Sequence, residues 1–234
     1  MFQGYNNETF EFFMAIAINN NVDFFHANHD WYLRGVREPS LALAEALAPV
    51  MEELDGEMEL RPNRIVSRIN RDVRFSRDKS PYRDHIWLSF RRPGEEGKNR
   101  IGAYFDVSAD GASYGAGLYN DNRPLMNALR REIRLEPERV LSAWEPVRGE
   151  FVLLADRYKR MAVPEETPEE LRGWYTMKGF YFEKPIRDFE LLKSPALADE
   201  IAGGLRRLKS LFVLMRDLVP IEDEDDAVRP MDRV

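Results

Sequence analysis

The apolar positions of the first sixty residues recur at helical intervals. The clearest pattern covers residues 43–54, and another helix is predicted from Phe24 to Arg34. An earlier helix follows Asn6 and Asn7, which are both suited to cap it. The predicted apolar face of that first helix consists of Phe10, Phe13, Met14, Ala17 and Ile18. This part of the chain is therefore expected to be helical.

Apolar and polar residues alternate in the middle of the chain, which is typical of strands. Two runs cover residues 86–90 and 101–107, and a third follows the tight-turn pair Asp110-Gly111. Because the connections are short, we expect antiparallel neighbours in a meander. Gly115 and Gly117 lie in the third run. Neither a Lys-Ser or Lys-Thr pair nor a helix follows them, so we expect a close backbone approach there rather than a phosphate-binding loop.

Helical spacing returns after residue 122 and dominates the rest of the chain. Helices are predicted to begin at Pro124 and Pro137, and a further strand is predicted from Met177 to Phe182. A long amphipathic helix is expected after the pair Ser194-Pro195, because its apolar residues continue at helical intervals as far as Val219.

This order of elements predicts an α+β fold. We expect a single domain over residues 1–219, with a central, mainly antiparallel sheet on which N-terminal and C-terminal helices pack. Residues 220–234 contain 6 acidic and 2 basic side chains. They are predicted to form an acidic, disordered tail.

The composition excludes several classes of function. The chain has no cysteine, so it has no disulfide framework, no thiol nucleophile and no cysteine-ligated metal. Its three histidines make a histidine-rich metal site improbable. His26 and His29 are three residues apart, but ordinary surface histidines explain this spacing better than ligands do. We therefore expect neither a metal nor a cofactor.

The sequence shows no sign of export or of a membrane span. The early apolar stretch from Phe10 to Ile18 contains Glu11, and no lysine or arginine precedes it. No run approaches the roughly 18–20 apolar residues needed to cross a bilayer. We therefore expect a soluble, cytoplasmic protein with no membrane partner.

The charge of the chain is unevenly distributed. The formal net charge is −7, and residues 1–60 contain 11 acidic but only 2 basic side chains. Residues 61–100 reverse this balance, with 12 basic and 5 acidic side chains. A basic island in an acidic protein attracts an anion locally, while the whole molecule repels polyanions. This pattern disfavours broad contact with nucleic acid and allows one local anion site.

Basic side chains are densest between residues 61 and 83. They are Arg61, Arg64, Arg68, Arg71, Arg74, Arg77, Lys79 and Arg83. A strand entering a loop is the favoured conformation, because Ser76, Asp78 and Ser80-Pro81 favour turns. Guanidinium groups bind phosphate or carboxylate in a bidentate manner, and Asp72 could hold one of them in place. The alternative is that these arginines form surface ion pairs with the acidic N-terminal helices.

Residues 68–83, here called the arginine motif, read RINRDVRFSRDKSPYR. They resemble the central motif of domain-of-unknown-function family 2461, approximately R-I-x-R-D-x-R-F-S-x-D-K-x-P-Y-K, with Arg83 in place of the last lysine. The opening Phe2-Gln3-Gly4-Tyr5 and the later pair Asn20-Asn21 also fit this family. The resemblance covers about residues 2–219. It implies a soluble α+β domain with a functional patch at the motif, and it brings no established reaction.

We expect an anion-binding site at the arginine motif. Its predicted residues are Arg68, Arg71, Asp72, Arg74, Lys79, Tyr82 and Arg83. The basic side chains would supply charge, Asp72 would orient an arginine or act as a base, and Tyr82 would line the site. The predicted ligand is a phosphorylated or carboxylated small molecule. If it is turned over, hydrolysis or transfer at a phosphate ester fits best, because arginines stabilise the developing charge.

Two questions stay open at the level of sequence. One is whether the site only binds or also catalyses, since His85 could act as an acid or base but could equally be a polar residue at the start of a strand. The other is whether the arginines instead belong to an interaction module that docks an acidic protein or nucleic-acid segment without catalysis. The oligomeric state is not indicated by the sequence.

Overall fold

The computed structural model describes residues 1–94, 101–118 and 120–222. The α-helices are α1 (Asn7–Ile18), α2 (Val22–Ala27), α3 (His29–Tyr32), α4 (Glu38–Leu54), α5 (Pro62–Ile65), α6 (Arg123–Leu135), α7 (Pro137–Trp144), α8 (Glu169–Tyr175), α9 (Phe189–Leu192) and α10 (Ala196–Asp217). A π-helical turn (Leu33–Arg37) joins α3 to α4, and a 3-10 turn (Glu145–Val147) follows α7. The strands are β1 (His85–Phe90), β2 (Ile101–Ser108), β3 (Gly111–Leu118), β4 (Val152–Leu154) and β5 (Tyr181–Ile186).

The strands form one sheet in the order β1-β2-β3-β5-β4. Strands β1 and β2 are antiparallel, with Trp87 opposite Asp106, and β4 and β5 pair in the same way. The predicted α+β class with a central antiparallel sheet is therefore confirmed. The strand predicted from Met177 to Phe182 overlaps only the start of β5. Of the preceding residues, Met177 forms only an isolated β-bridge with Arg157, and residues 178–180 lie outside any strand.

Contacts divide the chain into two compact units. The first comprises Met1–Pro93, Ala103–Tyr114 and Lys184–Leu205. The second comprises the described residues of Gly94–Gly102, Gly115–Glu183 and Arg206–Val234. The predicted domain boundary at residue 219 stays a prediction, and most of the predicted acidic tail lies outside the described residues. No helix in the described part of the chain is long and apolar enough to span a membrane.

Helices α1 and α4 and the first two strands contribute much of the core of the first unit. The Asn6 side chain accepts a hydrogen bond from the Thr9 amide and so caps α1 as predicted. The buried face of α1 differs from the prediction, because Phe12 and Ile16 are buried, whereas Met14 and Ile18 are 50% and 83% exposed. The buried residues that β1 and β2 contribute to this unit are Ile86, Leu88, Phe90, Ala103, Phe105 and Val107.

Helix α1 supports the π-helical turn before α4. Pro39 has no amide hydrogen to give to the carbonyl of Gly35, four residues earlier. The Thr9 hydroxyl of α1 donates to that carbonyl instead, at 2.5 Å. A Cβ atom at Gly35 would lie only 3.2 Å from the Glu8 carbonyl carbon. A helix contact therefore stabilises the unusual turn, and the helix predicted over 24–34 is broken into shorter pieces.

In the second unit, a buried arginine fastens α6 to the segment before β5. Arg130 is 2% exposed and donates to the carbonyls of Tyr175 at 2.7 Å and Met177 at 2.6 Å. In the same unit, a Cβ atom at Gly115 would lie 1.7 Å from the Phe182 carbonyl oxygen. The close backbone approach predicted at this glycine is therefore present.

Candidate functional site

The arginine motif runs as two paired segments that lead into β1. The Arg83 amide donates to the Ile69 carbonyl at 2.8 Å, and the Arg71 amide donates to the Pro81 carbonyl at the same distance. Ile69 is buried beneath this pairing. The predicted strand entering a loop is only partly present, because Asn70 and Tyr82 form an isolated β-bridge rather than part of a strand, and residues 72–80 form the loop.

A side chain from the N-terminal helices fixes the returning segment. Asn20, between α1 and α2, donates to the Tyr82 carbonyl at 2.9 Å and accepts from the Tyr82 amide at 3.0 Å. The Tyr82 ring stacks on Phe25 of α2, with ring centroids 4.2 Å apart. We call the two backbone hydrogen bonds to Tyr82 the Asn20 clamp. The clamp and the ring stack hold the motif against α1 and α2.

A cleft of about 380 Å³ lies beside the clamp, within the first unit. Its lining residues are Ala17, Asn20, Arg71, Asp78, Ser80, Tyr82, Arg83, Asp84 and His85. A volume of this size is suited to a small molecule, since ligand pockets commonly enclose about 300–1,000 Å³. The lining is mostly polar and contains two guanidinium groups, so it favours a charged ligand.

Of the two guanidinium groups that line the cleft, that of Arg83 has less of its positive charge balanced by nearby carboxylates. One of its terminal nitrogens, Nη1, donates to the carbonyls of Arg68, at 2.9 Å, and Asn70, and its Cζ lies 4.6 Å from the centre of the Trp87 ring. Burial, together with the charge of Arg71, lowers the pKa of Arg83, although an arginine remains charged at neutral pH. Within the described ranges, no carboxylate lies at ion-pair distance from Arg83. Its charge is thus available to an anion.

Arg71, the second cation, is partly neutralised by its own loop. Its guanidinium donates to the carboxylate of Asp78, which also accepts from the Ser80 amide at 2.9 Å. The hydrogen bonds from Arg71 and Ser80 hold the pKa of Asp78 far below its usual value. Asp78 is therefore ionised at neutral pH and closes the loop onto Arg71.

A histidine and a carboxylate lie at the end of the cleft where β1 begins. The Nδ1 atom of His85 lies 3.0 Å from Oδ1 of Asp84. The His85 ring is also 5.6 Å from the Trp87 ring, against which Arg83 packs. The cleft therefore combines cations with a group that can exchange a proton.

The structure brings together three of the seven predicted site residues, namely Arg71, Tyr82 and Arg83. The other four are Arg68, Asp72, Arg74 and Lys79, and none of them lines the cleft. Asp72 does orient an arginine, but that arginine is the exposed Arg74, at 2.7 Å. Lys79 donates to the Val73 carbonyl at 2.9 Å and so belongs to the loop.

The alternative of surface ion pairs also has a partial counterpart in the structure. Arg61 and Arg64 lie 2.5 and 4.0 Å from Glu59, and Arg74 pairs with Asp72. In the described segments, the partners of these arginines are thus nearby acids rather than acids of α1 to α4. The arginine-rich segment therefore contains both structural ion pairs and cations that face a cleft.

Several lining residues were not among the predicted site residues. Asn20 is 62 positions from Tyr82 in the sequence, so local pattern does not connect the two. Asp78 and Ser80 are residue types that favour turns, and Asp84 belongs to no sequence pattern. The pair Asn20-Asn21 also matches the family pattern, and this match was the one sequence signal for the part of the cleft that the N-terminal segment forms.

Comparison with protein families identifies the chain as a whole. A search of curated proteins found no match. A family model described as "Conserved hypothetical protein (DUF2461)" matches residues 8–213, which is most of the chain and includes every residue that lines the cleft. The family predicted from the arginine motif is therefore confirmed, and the chain belongs to the conserved hypothetical protein family DUF2461.

Proposed function

We propose that the cleft binds a small molecule that carries a phosphate or carboxylate group. The observation that supports this most is the guanidinium of Arg83, which lines the cleft and has no carboxylate partner in the described part of the chain. A partly buried and uncompensated cation is costly unless an anion joins it. A ligand phosphate would supply that anion and two or more acceptor oxygens.

The neighbouring groups fit this proposal. Arg71 lines the same cleft and adds a second guanidinium, with Asp78 as its internal counter-ion. Tyr82 forms a wall fixed by Asn20, whose side chain is already occupied with the Tyr82 backbone. We assign ligand contact to Arg71 and Arg83, and we assign to Asp72, Arg74 and Lys79 a role in holding the loop.

The test is ligand-dependent thermal unfolding of wild type and Arg83→Gln. Orthophosphate and a panel of phosphorylated metabolites serve as ligands. A ligand at 100 times its dissociation constant stabilises the native state by about 2.7 kcal/mol. We expect wild type to be stabilised and Arg83→Gln to lose most of the effect, while Arg83→Lys retains part of it.

The matched control is Arg77→Gln, which removes an exposed arginine of the same motif that does not line the cleft. It should respond to ligand as wild type does. The proposal is contradicted if no anion stabilises wild type, or if Arg77→Gln and Arg83→Gln weaken the response equally. The unfolding temperature without ligand reports separately on any loss of the hydrogen bonds that Arg83 makes.

A second candidate function rests on the loop rather than the cleft. The Phe75 side chain is 95% exposed beside the exposed Arg74, Arg77 and Lys79. Such a tip favours an interaction module that docks an acidic protein or nucleic-acid segment. In that case Phe75→Ala would weaken binding of an acidic peptide or oligonucleotide, and binding would fall steeply with salt. Binding in the cleft would not respond to Phe75→Ala.

The cytoplasmic location predicted from the sequence is part of the proposal. It is supported by the kind of ligand, because phosphorylated metabolites are concentrated inside cells. Fractionation of cells that produce the tagged protein would test it, with recovery in the membrane pellet as the opposing result.

A further inference from the structure

From the His85 and Asp84 pair we infer that the cleft hydrolyses a phosphate monoester, with His85 acting as the general base. This inference rests on the proposed anion binding and adds a reaction to it. It concerns residues that line the same cleft as Arg71 and Arg83 but are not needed to explain binding.

The arrangement of His85 suits a base. Its Nδ1 atom lies 3.0 Å from Oδ1 of Asp84, and a carboxylate at that nitrogen favours the tautomer that carries the proton there. The other ring nitrogen, Nε2, is then the proton acceptor. In the described part of the chain Nε2 has no hydrogen-bond partner, and the side chain is 38% exposed. A water molecule can therefore reach it.

Charge and position place a substrate phosphate next to this base. Arg83 and His85 both pack against the Trp87 ring, at 4.6 and 5.6 Å from its centre. A phosphate bound by Arg83 and Arg71 therefore lies at the end of the cleft that His85 occupies. The two guanidinium groups would also stabilise the charge that shifts onto the phosphoryl oxygens in the transition state.

The reaction balances without any further reactant than water. The oxygen of a water molecule bonds to phosphorus as His85 Nε2 accepts one of its protons, and the bond from phosphorus to the ester oxygen breaks. The departing alkoxide takes a proton from solvent, and the imidazolium returns its proton to solvent. The products are an alcohol and orthophosphate. Asp84 stabilises the imidazolium and is a positioning residue.

The experiment compares turnover with binding in the same proteins. Turnover is measured as nitrophenolate released from p-nitrophenyl phosphate, and binding as the thermal stabilisation given by phenylphosphonate, which has no ester bond to break. We expect His85→Gln to lower kcat by at least about 100-fold while phenylphosphonate still binds, because a general base contributes about 10²–10⁴-fold. His26→Gln, an exposed histidine outside the cleft purified in the same way, should keep wild-type turnover.

The role of Asp84 has its own measurement. Asp84→Asn should lower kcat, although less than His85→Gln does, and should not raise KM for p-nitrophenyl phosphate, because Asp84 orients the base and does not contact the bound phosphate. A merely structural Asp84 would raise KM and weaken phenylphosphonate binding along with kcat. The inference is overturned if wild type binds phenylphosphonate but releases no nitrophenolate. It is also overturned if His85→Gln retains full activity. Either result leaves the proposed anion binding intact. If phenylphosphonate does not bind either, the proposed function fails too.

Discussion

Asp78 occupies a position at Arg71 that a ligand anion would also seek. Their ion pair closes the loop of the arginine motif, and the pKa of Asp78 is held low by the hydrogen bonds it accepts. Because like charges repel, an ionised Asp78 should weaken the binding of any anion at Arg71. If the cleft binds an anion as proposed, the carboxylate would limit its affinity while keeping the guanidinium in place.

We predict that Asp78→Asn strengthens anion binding. The amide oxygen still accepts a hydrogen bond from Arg71, but the negative charge is gone. The dissociation constant of orthophosphate, measured by titration calorimetry at neutral pH, should fall by about two- to fivefold. Asp72→Asn is the matched control, since Asp72 pairs with the exposed Arg74 outside the cleft and should leave the constant unchanged. Weaker binding by Asp78→Asn would mean that the charge is needed to position Arg71.

Glu59 gives a prediction about acid stability. Its side-chain hydrogen bond with Arg61 is the main cause that lowers its pKa from 4.5 to about 2. A pKa that is lower in the folded state stabilises the fold at pH values above 4.5, and this contribution is lost as the pH falls towards 2. Urea unfolding between pH 6 and pH 2 should therefore show a smaller loss for Glu59→Gln than for wild type. The exposed Glu11, changed to Gln, should behave as wild type, and parallel losses in all three would contradict the assignment.

Among the elements, two helices contain glycines that should respond to alanine in opposite directions. In α10, a Cβ atom at Gly204 would lie 2.1 Å from the hydroxyl oxygen of the buried Tyr114. In α8, a Cβ atom at Gly173 would meet no heavy atom within 4 Å. The first glycine allows close packing, and the second has no such contact.

We therefore expect Gly204→Ala to destabilise the protein by about 1–3 kcal/mol, as overpacking of a core does. Gly173→Ala should stabilise it by up to about 1 kcal/mol, because alanine favours a helix more than glycine does. Both values follow from chemical unfolding monitored by circular dichroism. A neutral Gly204→Ala would show that Tyr114 can move aside.

How far the elements could be predicted depends on whether their causes are local. Asn6 caps α1, and the Ser194 hydroxyl accepts from the Ala196 amide at the start of α10, as the residue types indicated. The π-helical turn could not be predicted, because a hydroxyl from α1 supports it. Strand β4 has only three residues and gives no measurable alternation. Elements with long-range causes were therefore missed.

The same division applies to the candidate site. The charge pattern and family resemblance identified the segment that contains Arg71 and Arg83. They could not show that Arg71 and Arg83 line the cleft while Arg68 and Arg74 do not, because which side chains line the cleft depends on where the chain turns into the loop. The hydrogen bonds from Asn20 to the Tyr82 backbone could not be predicted from local sequence, because they form only when the N-terminal helices pack against the arginine motif.

For the whole molecule, the contrast between total and local charge predicts selectivity for small anions. The net charge is −7, while residues 61–100 are basic. A long polyanion meets repulsion from the rest of the surface that a small anion avoids. We expect no binding of duplex DNA at 150 mM salt by fluorescence anisotropy, and only a shallow salt dependence for orthophosphate. If the protein does bind duplex DNA, and the logarithm of the binding constant falls steeply with the logarithm of the salt concentration, by about 0.9 per phosphate contacted, the docking module would be favoured instead.

The Asn20 clamp also has a consequence for the rate at which the protein unfolds. Asn20 lies in the segment before α2 and Tyr82 in the segment before β1, 62 residues later. Both residues line the cleft, so the cleft exists only while these two segments are held together. Separation of these segments would break up the cleft and release a ligand bound there. An occupied cleft should therefore lengthen the half-life of the native state in urea, and a proteolytic pulse would measure this directly. Asn20→Ala should shorten that half-life and remove most of the ligand's effect on it.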